Sequence, residues 1–169
     1  MVLEEISKRR SIRKYKDTPI EESKLLNILE AGRLAPTARN RQEWKVIIVT
    51  DPELKMKMVD ACNGQAFVKT AAALLVAVST DTSYTMRCGV NAGTVDTTIV
   101  LQNMVLQAEK EGLGTCYIGS FFNDQVKRLL SIPTEMEVIQ ILTLGYADEA
   151  PESRPRKDLK EFYCHNKYE

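Results

Sequence analysis

Over residues 95–112 the chain carries apolar side chains on nearly every side of a helix: Val95, Ile99, Val100, Leu101, Met104, Val105, Leu106 and Ala108. A helix bathed by water on one side keeps a polar face, so one that is apolar all round must be packed on several sides. This segment is predicted to be the central helix of a layered fold. Gly112, which tolerates the left-handed cap conformation, is predicted to end it. The longest unbroken apolar run, residues 71–78, has the length of a buried strand and is far too short to cross a membrane.

The remaining pattern supplies alternating helices and strands. A short helix is expected from Leu3 to Lys8. A second is opened by Pro19, Glu21 and Glu22, with Leu25, Leu26, Leu29 and Gly32 on its apolar face. Residues 44–50 are rich in β-branched residues and read as a strand, as do 72–79, 115–118 and 138–144. Asp51-Pro52-Glu53 combines a capping side chain, a first-turn proline and a first-turn acid, so a helix starts there. Asn123 or Asp124 caps a further helix that reaches Leu130, and Pro133 stops it. Residues 80–93 are polar and irregular, and residues 148–169 form a tail with no core face of its own. About four strands and several helices, without repeats, make one mixed α/β or α+β domain over residues 1–169.

Composition removes several function classes. The 23 basic and 23 acidic side chains cancel, which argues against bulk nucleic-acid binding. Cys62, Cys88, Cys116 and Cys164 are widely separated, with neither a CxxC pair nor zinc-ligand spacing, and they are expected to be reduced and mostly packed. His165 is the only histidine, which removes most histidine-based triads and multi-histidine metal sites. The acidic start of the chain lacks a secretory apolar core, so a cytoplasmic location is expected.

Four segments carry candidate chemistry. Arg9-Arg10-Ser11-Ile12-Arg13-Lys14 sets guanidinium forks and a hydroxyl at the end of a short helix, the groups a phosphate needs, although a solvated basic turn has the same composition. Residues 35–44 hold Thr37, Asn40 and Gln42, which can hydrogen-bond the edge of a heterocycle, in what is otherwise an ordinary connection. Gly112-Leu113-Gly114-Thr115-Cys116-Tyr117-Ile118-Gly119 fails the dinucleotide fingerprint. Tyr117 stands where a third glycine is needed, and the segment follows a helix instead of opening one. Gly119 can still let a backbone N–H approach a flat ligand. Arg154-Pro155-Arg156-Lys157 is a stiffened basic stretch able to close on an anion, or a solvated tail.

Taken in order, these segments resemble one pattern. Arg9-Arg10-Ser11-Ile12-Arg13-Lys14-Tyr15 is similar to the opening motif of the flavin-dependent nitroreductase family. Ala35-Pro36-Thr37-Ala38-Arg39-Asn40-Arg41-Gln42-Glu43-Trp44 resembles its second motif, and residues 112–119 its third. Gln65-Ala66-Phe67-Val68, Arg154-Pro155-Arg156-Lys157 and His165-Asn166-Lys167-Tyr168 complete a likeness that spans nearly the whole chain.

The resemblance implies an α+β fold with a mostly antiparallel central sheet flanked by helices. It also implies a homodimer whose C-terminal extension is exchanged with the partner, with FMN at the interface. It implies an NAD(P)H oxidoreductase in which hydride passes through flavin N5 to a nitroaromatic, a quinone or another small acceptor, by a ping-pong scheme. By the same resemblance Arg9, Ser11 and Arg156 hold the phosphate with Arg154 close by, and Arg10 lies along the phosphate and ribityl chain. Arg13 sits beside the pyrimidine end of the ring, where a cation stabilises the reduced anion. Pro36, Thr37, Ala38 and Asn40 approach the partner's flavin. Ile118 and Gly119 bring backbone to N5, and Gln65 reaches the ring edge. No side-chain acid or base and no metal are assigned.

Two departures stand out. Thr37 occupies a position where the pattern usually has serine, which keeps the hydroxyl. Glu43 stands where a proline usually precedes the tryptophan, which removes a rigid turn and adds a charge. Residues 80–93 are also short where larger members carry extra helices over the substrate. Alternatives of other kinds are a flavin-binding storage or sensing protein without turnover, a relative with another flavin reaction such as reductive dehalogenation, and a cofactor-free interaction module.

Overall fold

The computed structural model describes residues 1–168. The helices are α1 (Glu4–Lys8), α2 (Glu22–Arg33), α3 (Pro52–Ala61), α4 (Ala92–Lys110), α5 (Asn123–Leu130) and α6 (Leu159–Phe162). The strands are β1 (Trp44–Val49), β2 (Ala73–Ser79), β3 (Gly114–Ile118) and β4 (Glu137–Gly145). Short 3-10 turns occupy Ala38–Asn40 and Ala66–Thr70. The sheet has the order β1-β2-β4-β3, and all three pairings are antiparallel.

This order pairs both edges of β2 and β4, and helices cover both faces of β2. Every residue of β2 is buried, which is why its sequence reads as an apolar run without alternation. Leu74, Val76 and Val78 face a core layer completed by Met58 and Ala61 of α3 and Val126 of α5. Leu75 and Ala77 face the opposite layer, formed by Ile28 of α2 and by Val100, Leu101, Met104, Val105 and Ala108 of α4. The fold is thus the expected α+β arrangement, with the apolar helix packed between the sheet and α2.

Several expectations hold and several shift. Asp51 caps α3, its Oδ1 accepting from the Leu54 N–H at 2.7 Å. Gly112 ends the central helix with φ 76°. That helix begins at Ala92, three residues earlier than the apolar pattern indicates, because Asn91 Oδ1 accepts from the Thr94 N–H at 3.0 Å. Of the expected apolar face of α2, Gly32 is buried and Leu25 and Leu29 pack against the core, but Leu26 is 56% exposed and Ile28, fully buried, takes its place. Neither Asn123 nor Asp124 caps α5. Phe122 occupies the cap position, and Asn123 Nδ2 donates to the Val138 carbonyl at 3.0 Å. Cys62 and Cys116 are buried but Cys88 and Cys164 are exposed, so only half of the thiols are packed. The tail after Pro151 is exposed throughout its described length, with Leu159, Phe162 and Tyr163 facing solvent.

Candidate functional site

The first basic motif lies along the edge strand β3. Ser11 bridges Thr115 in a parallel sense, and the Ile12 N–H donates to the Thr115 carbonyl at 2.9 Å. The approach is close because residue 114 is glycine: a Cβ there would stand 2.6 Å from Ile12 Cγ1. Ile12 turns into the core, and the buried Tyr15 hydroxyl donates to the Ile12 carbonyl at 2.7 Å and lies 2.6 Å from Thr143 Oγ1. Burial pushes the Tyr15 phenol far above its ordinary pKa, so it remains a neutral anchor at any physiological pH.

The chain leaving β4 folds back against this motif. Tyr15 bridges Ala147, the Lys16 N–H donates to the Tyr146 carbonyl at 2.9 Å, and the Asp148 N–H donates to the Lys14 carbonyl at 2.8 Å. Glu149 Oε1 then accepts the backbone N–H groups of Arg13 and Lys14, the latter at 3.1 Å. These pairings bring the second basic segment beside the first. Arg9, Arg10, Ser11 and Arg13 share one cleft with Arg154 and Arg156, closed by Glu149, Pro151, Glu152 and Ser153.

The cleft has a volume of about 250 Å³, room for one end of a ligand and not for a whole cofactor. Five guanidiniums against two carboxylates give it a positive field suited to a phosphate. Its arginines are not equivalent. Arg10 Nη1 donates to the carbonyls of Ser7, Lys8 and Arg9 at 2.8, 2.9 and 2.9 Å, so much of its fork is spent on the C-terminal end of α1. Arg156 Nη1 holds the Arg154 and Pro155 carbonyls at 3.1 and 3.2 Å. The side chains of Arg9, Arg13 and Arg154 make no hydrogen bond or ion pair among the described residues. Cys116, beside Ser11, keeps its proton because burial raises its pKa more than the neighbouring arginines lower it.

At its far end β3 opens to solvent. Ile118 is buried, Gly119 and Ser120 are exposed, and a Cβ on Gly119 would meet nothing within 4 Å. From Thr115, beside Ser11, to Gly119 is four residues of extended chain, about 13 Å. Gln65 is adjacent, but its Nε2 donates to the Ser120 and Cys62 carbonyls at 3.0 and 2.9 Å. Asn63, which sequence reasoning passed over, donates to Ser120 Oγ at 3.1 Å. The two amides hold the segment that carries Gly119.

Pro36, Thr37, Ala38 and Asn40 lie elsewhere. Their loop leads into β1 at the end of the sheet where β3 finishes, since Trp44 pairs with Ser79, Ser79 with Glu137, and Ile118 with Ile141. It lies at the opposite edge, however, with β2 and β4 between, a separation of about 14 Å across the strands. Within one protomer the structure therefore gathers Arg9, Arg10, Ser11, Arg13, Arg154 and Arg156 at one end of β3. It places Gln65, Ile118 and Gly119 at the other end and keeps the loop apart from both.

The loop is nonetheless built rigidly. The Ala38 N–H donates to both carboxylate oxygens of the buried Asp96, and the Gln42 N–H donates to Thr37 Oγ1 at 3.1 Å. Arg39, Asn40 and Gln42 hold φ values of 55°, 55° and 56°. Left-handed backbone at three non-glycine residues is strain that concentrates at functional sites. An acid inside the apolar stretch 95–112 was the available signal for Asp96.

The nitroreductase family model matches residues 6–91 and 63–146. The chain belongs to the nitroreductase family. The NADPH-flavin oxidoreductase of Vibrio harveyi is 33% identical over 99% of this chain and 74% of its own length. A Methanothermobacter thermautotrophicus relative, described as a putative NADH dehydrogenase/NAD(P)H nitroreductase, is 34% identical over 90% of this chain and 81% of its own. Among solved structures, the Vibrio harveyi NADPH:FMN oxidoreductase complexed with NAD+ superposes with a TM-score of 0.90 at 32% identity, covering 98% of this chain and 77% of that one. A nitroreductase family protein of Clostridium difficile gives 0.88 at 30% identity, covering 99% and 100%. Within this nitroreductase-family chain, no group of three metal-binding side chains occurs among the described residues. No helix among them is long and apolar enough to cross a membrane.

Proposed function

We propose that this chain is an FMN-dependent NAD(P)H oxidoreductase of nitroreductase type, acting as a homodimer on a nitroaromatic, quinone or similar small acceptor. One observation carries the reading: a cationic cleft and an open glycine lie about 13 Å apart along a single sheet edge. That spacing suits a ligand with a phosphate at one end and a flat ring at the other. The names of the relatives, an NADPH-flavin oxidoreductase among them, support the same reaction.

The residues present fit FMN. Arg9, Ser11, Arg154 and Arg156 would hold its phosphate, Arg9 and Arg154 through unengaged forks and Arg156 through the Nε and Nη2 that its own backbone contacts leave free. Arg13 would stand by the pyrimidine end, where positive charge favours the reduced ring. Ile118 and Gly119 would present backbone to the reactive edge, because no Cβ blocks that approach. When bound, FMN supplies reversible hydride chemistry at N5. The protein's part is to bind, orient and shield the ring, and no acid or base side chain is required.

The dimer completes the site. The loop of Pro36, Thr37, Ala38 and Asn40 lies too far across the sheet to reach its own Gly119, so it would cover the partner's ring. An open groove of Leu26, Leu29, Trp44, Val46, Val100 and Met104, bordered by the ion-paired Glu30 and Arg33, together with Leu34 at 65% exposure, supplies surface for a second copy. The exposed tail would wrap that copy. The exposed thiols of Cys88 and Cys164 suit a reducing compartment, in keeping with the cytoplasm. The absorption spectrum of the purified protein tests the reading. A flavin spectrum that bleaches with NADH or NADPH under argon is expected. A colourless protein that takes up no FMN overturns it, and a yellow protein that does not bleach marks a flavin-storage or sensing role.

A further inference from the structure

The loop before β1 and the segment before α4 meet in a cluster of side chains to which no flavin contact has been assigned. Arg41 donates through Nε and Nη2 to the Glu43 carboxylate and through Nη2 to Asp81 Oδ2 at 2.6 Å. Its guanidinium carbon stands 4.8 Å from the centre of the Tyr84 ring, and that of Arg39 stands 5.5 Å from the same ring. The two arginines differ in what neutralises them. Two carboxylates fill the fork of Arg41, whereas the Arg39 side chain has no ion pair or hydrogen bond among the described residues.

An exposed arginine normally samples many rotamers, and ordering it on a ligand costs affinity. Here stacking on Tyr84 confines Arg39, and its left-handed backbone, φ 55°, is kept in place by the anchored Ala38 on one side and the Thr37–Gln42 hydrogen bond on the other. The result is a pre-positioned guanidinium with unspent donors, immediately beside Ala38 and Asn40. Glu43, which stands where the resembled pattern has a proline, pairs with Arg41, and Arg41 with Asp81, so the end of this loop is tied to the segment before α4.

We propose that Arg39 reads an anionic oxo group on the substrate, and that Arg41, Glu43, Asp81 and Tyr84 are its positioning residues. The group is either an acidic substituent on the acceptor or the 2′-phosphate of the NADPH donor. The inference rests on the reading that this loop covers the partner's flavin.

The test uses the flavin-loaded enzyme with 1,4-naphthoquinone or its 2-sulfonate as acceptor, and with NADH or NADPH as donor. Arg39→Gln is expected to lower the kcat/KM ratio of the anionic substrate to its neutral counterpart by about three- to tenfold, as for one partly exposed charge-assisted contact. A fall in the quinone arm identifies the acceptor as the source of the anion, and a fall in the nicotinamide arm identifies the donor. Glu43→Gln leaves the Arg39 charge in place and loosens its support, so the same ratio is expected to fall by about two- to threefold, and Glu43→Pro is expected to recover it. An independent readout is the calorimetric affinity for naphthalene-2-sulfonate or 2′-phosphoadenosine, whichever matches the responding arm, which is expected to weaken in Arg39→Gln. Ratios unchanged in both arms overturn the proposal while the flavin reading stands. A ratio indifferent to Glu43→Gln overturns the positioning role. A wild-type protein that binds no FMN overturns both.

Discussion

Asp96, buried within α4, accepts the Ala38 backbone N–H through both of its carboxylate oxygens, at 3.1 and 3.0 Å. This contact joins the central helix to the loop that would cover the partner's flavin. It places a buried carboxylate on a helix whose other buried residues are mostly apolar.

Asp96→Ala is therefore expected to leave the Ala38 N–H without a partner and to cost about 1–3 kcal/mol. For a chain of this size that is a fall in Tm of several degrees. Thermal unfolding followed by circular dichroism checks the cost. Hydrogen exchange at residues 36–43 should rise more than exchange in β2, and an equal rise across the fold would show that the contact does not act locally.

Arg9→Ala and Arg156→Ala are each expected to weaken FMN binding by about 1.5–3 kcal/mol, ten- to a hundredfold in dissociation constant. Arg10→Ala should weaken it less and destabilise the protein slightly, because that guanidinium is held by the carbonyls that end α1. Flavin titration of the apo-variants gives the order. An Arg10 effect larger than that of Arg9 would show that the fork leaves α1 when the phosphate arrives.

The Cys62 thiol is fully buried, and burial pushes its pKa up from 9.0 to about 11. The folded state thus holds the proton more tightly than the unfolded chain. The resulting stabilisation is fully present below pH 9 and is lost as pH rises through about 11. Within that window the group should contribute a fall of about 1 kcal/mol per pH unit. Urea unfolding of wild type and Cys62→Ala across this range isolates it as the difference in slope. The exposed Cys88 should react with a thiol reagent at pH 8 while Cys62 stays protected.

Steady-state kinetics with NAD(P)H and a quinone should give parallel double-reciprocal lines. Residues 112–119 form a helix end and the edge strand β3, and the turn from β3 into α5 holds a single glycine, Gly119, so it lacks the glycine spacing of a dinucleotide site. Donor and acceptor would then use one ring face in turn. Intersecting lines would reveal a separate nicotinamide site.

Sequence alone determined the features that depend on near neighbours. The central helix declares itself by apolar side chains on nearly every side, β2 by its unbroken apolar run, α3 by the Asp51-Pro52 start, and the family by motifs in a fixed order. The phosphate-suited arginines were readable because charge clusters in sequence at residues 9–13 and 154–156. Tertiary structure decided what depends on which distant group is within reach. It buried Ile28 of α2 beside Gly32 and left Leu26 exposed, because α4 covers that side. It spent Arg10 on α1, turned the Gln65 amide onto Ser120, and moved the α5 cap to Phe122. It also set the strand order β1-β2-β4-β3, which joins the two basic segments at one sheet edge and leaves the Pro36–Asn40 loop at the other. Helix and strand periodicity is written every two to four residues, but a hydrogen-bond partner a hundred residues away is chosen only when the chain folds back and desolvates both groups together.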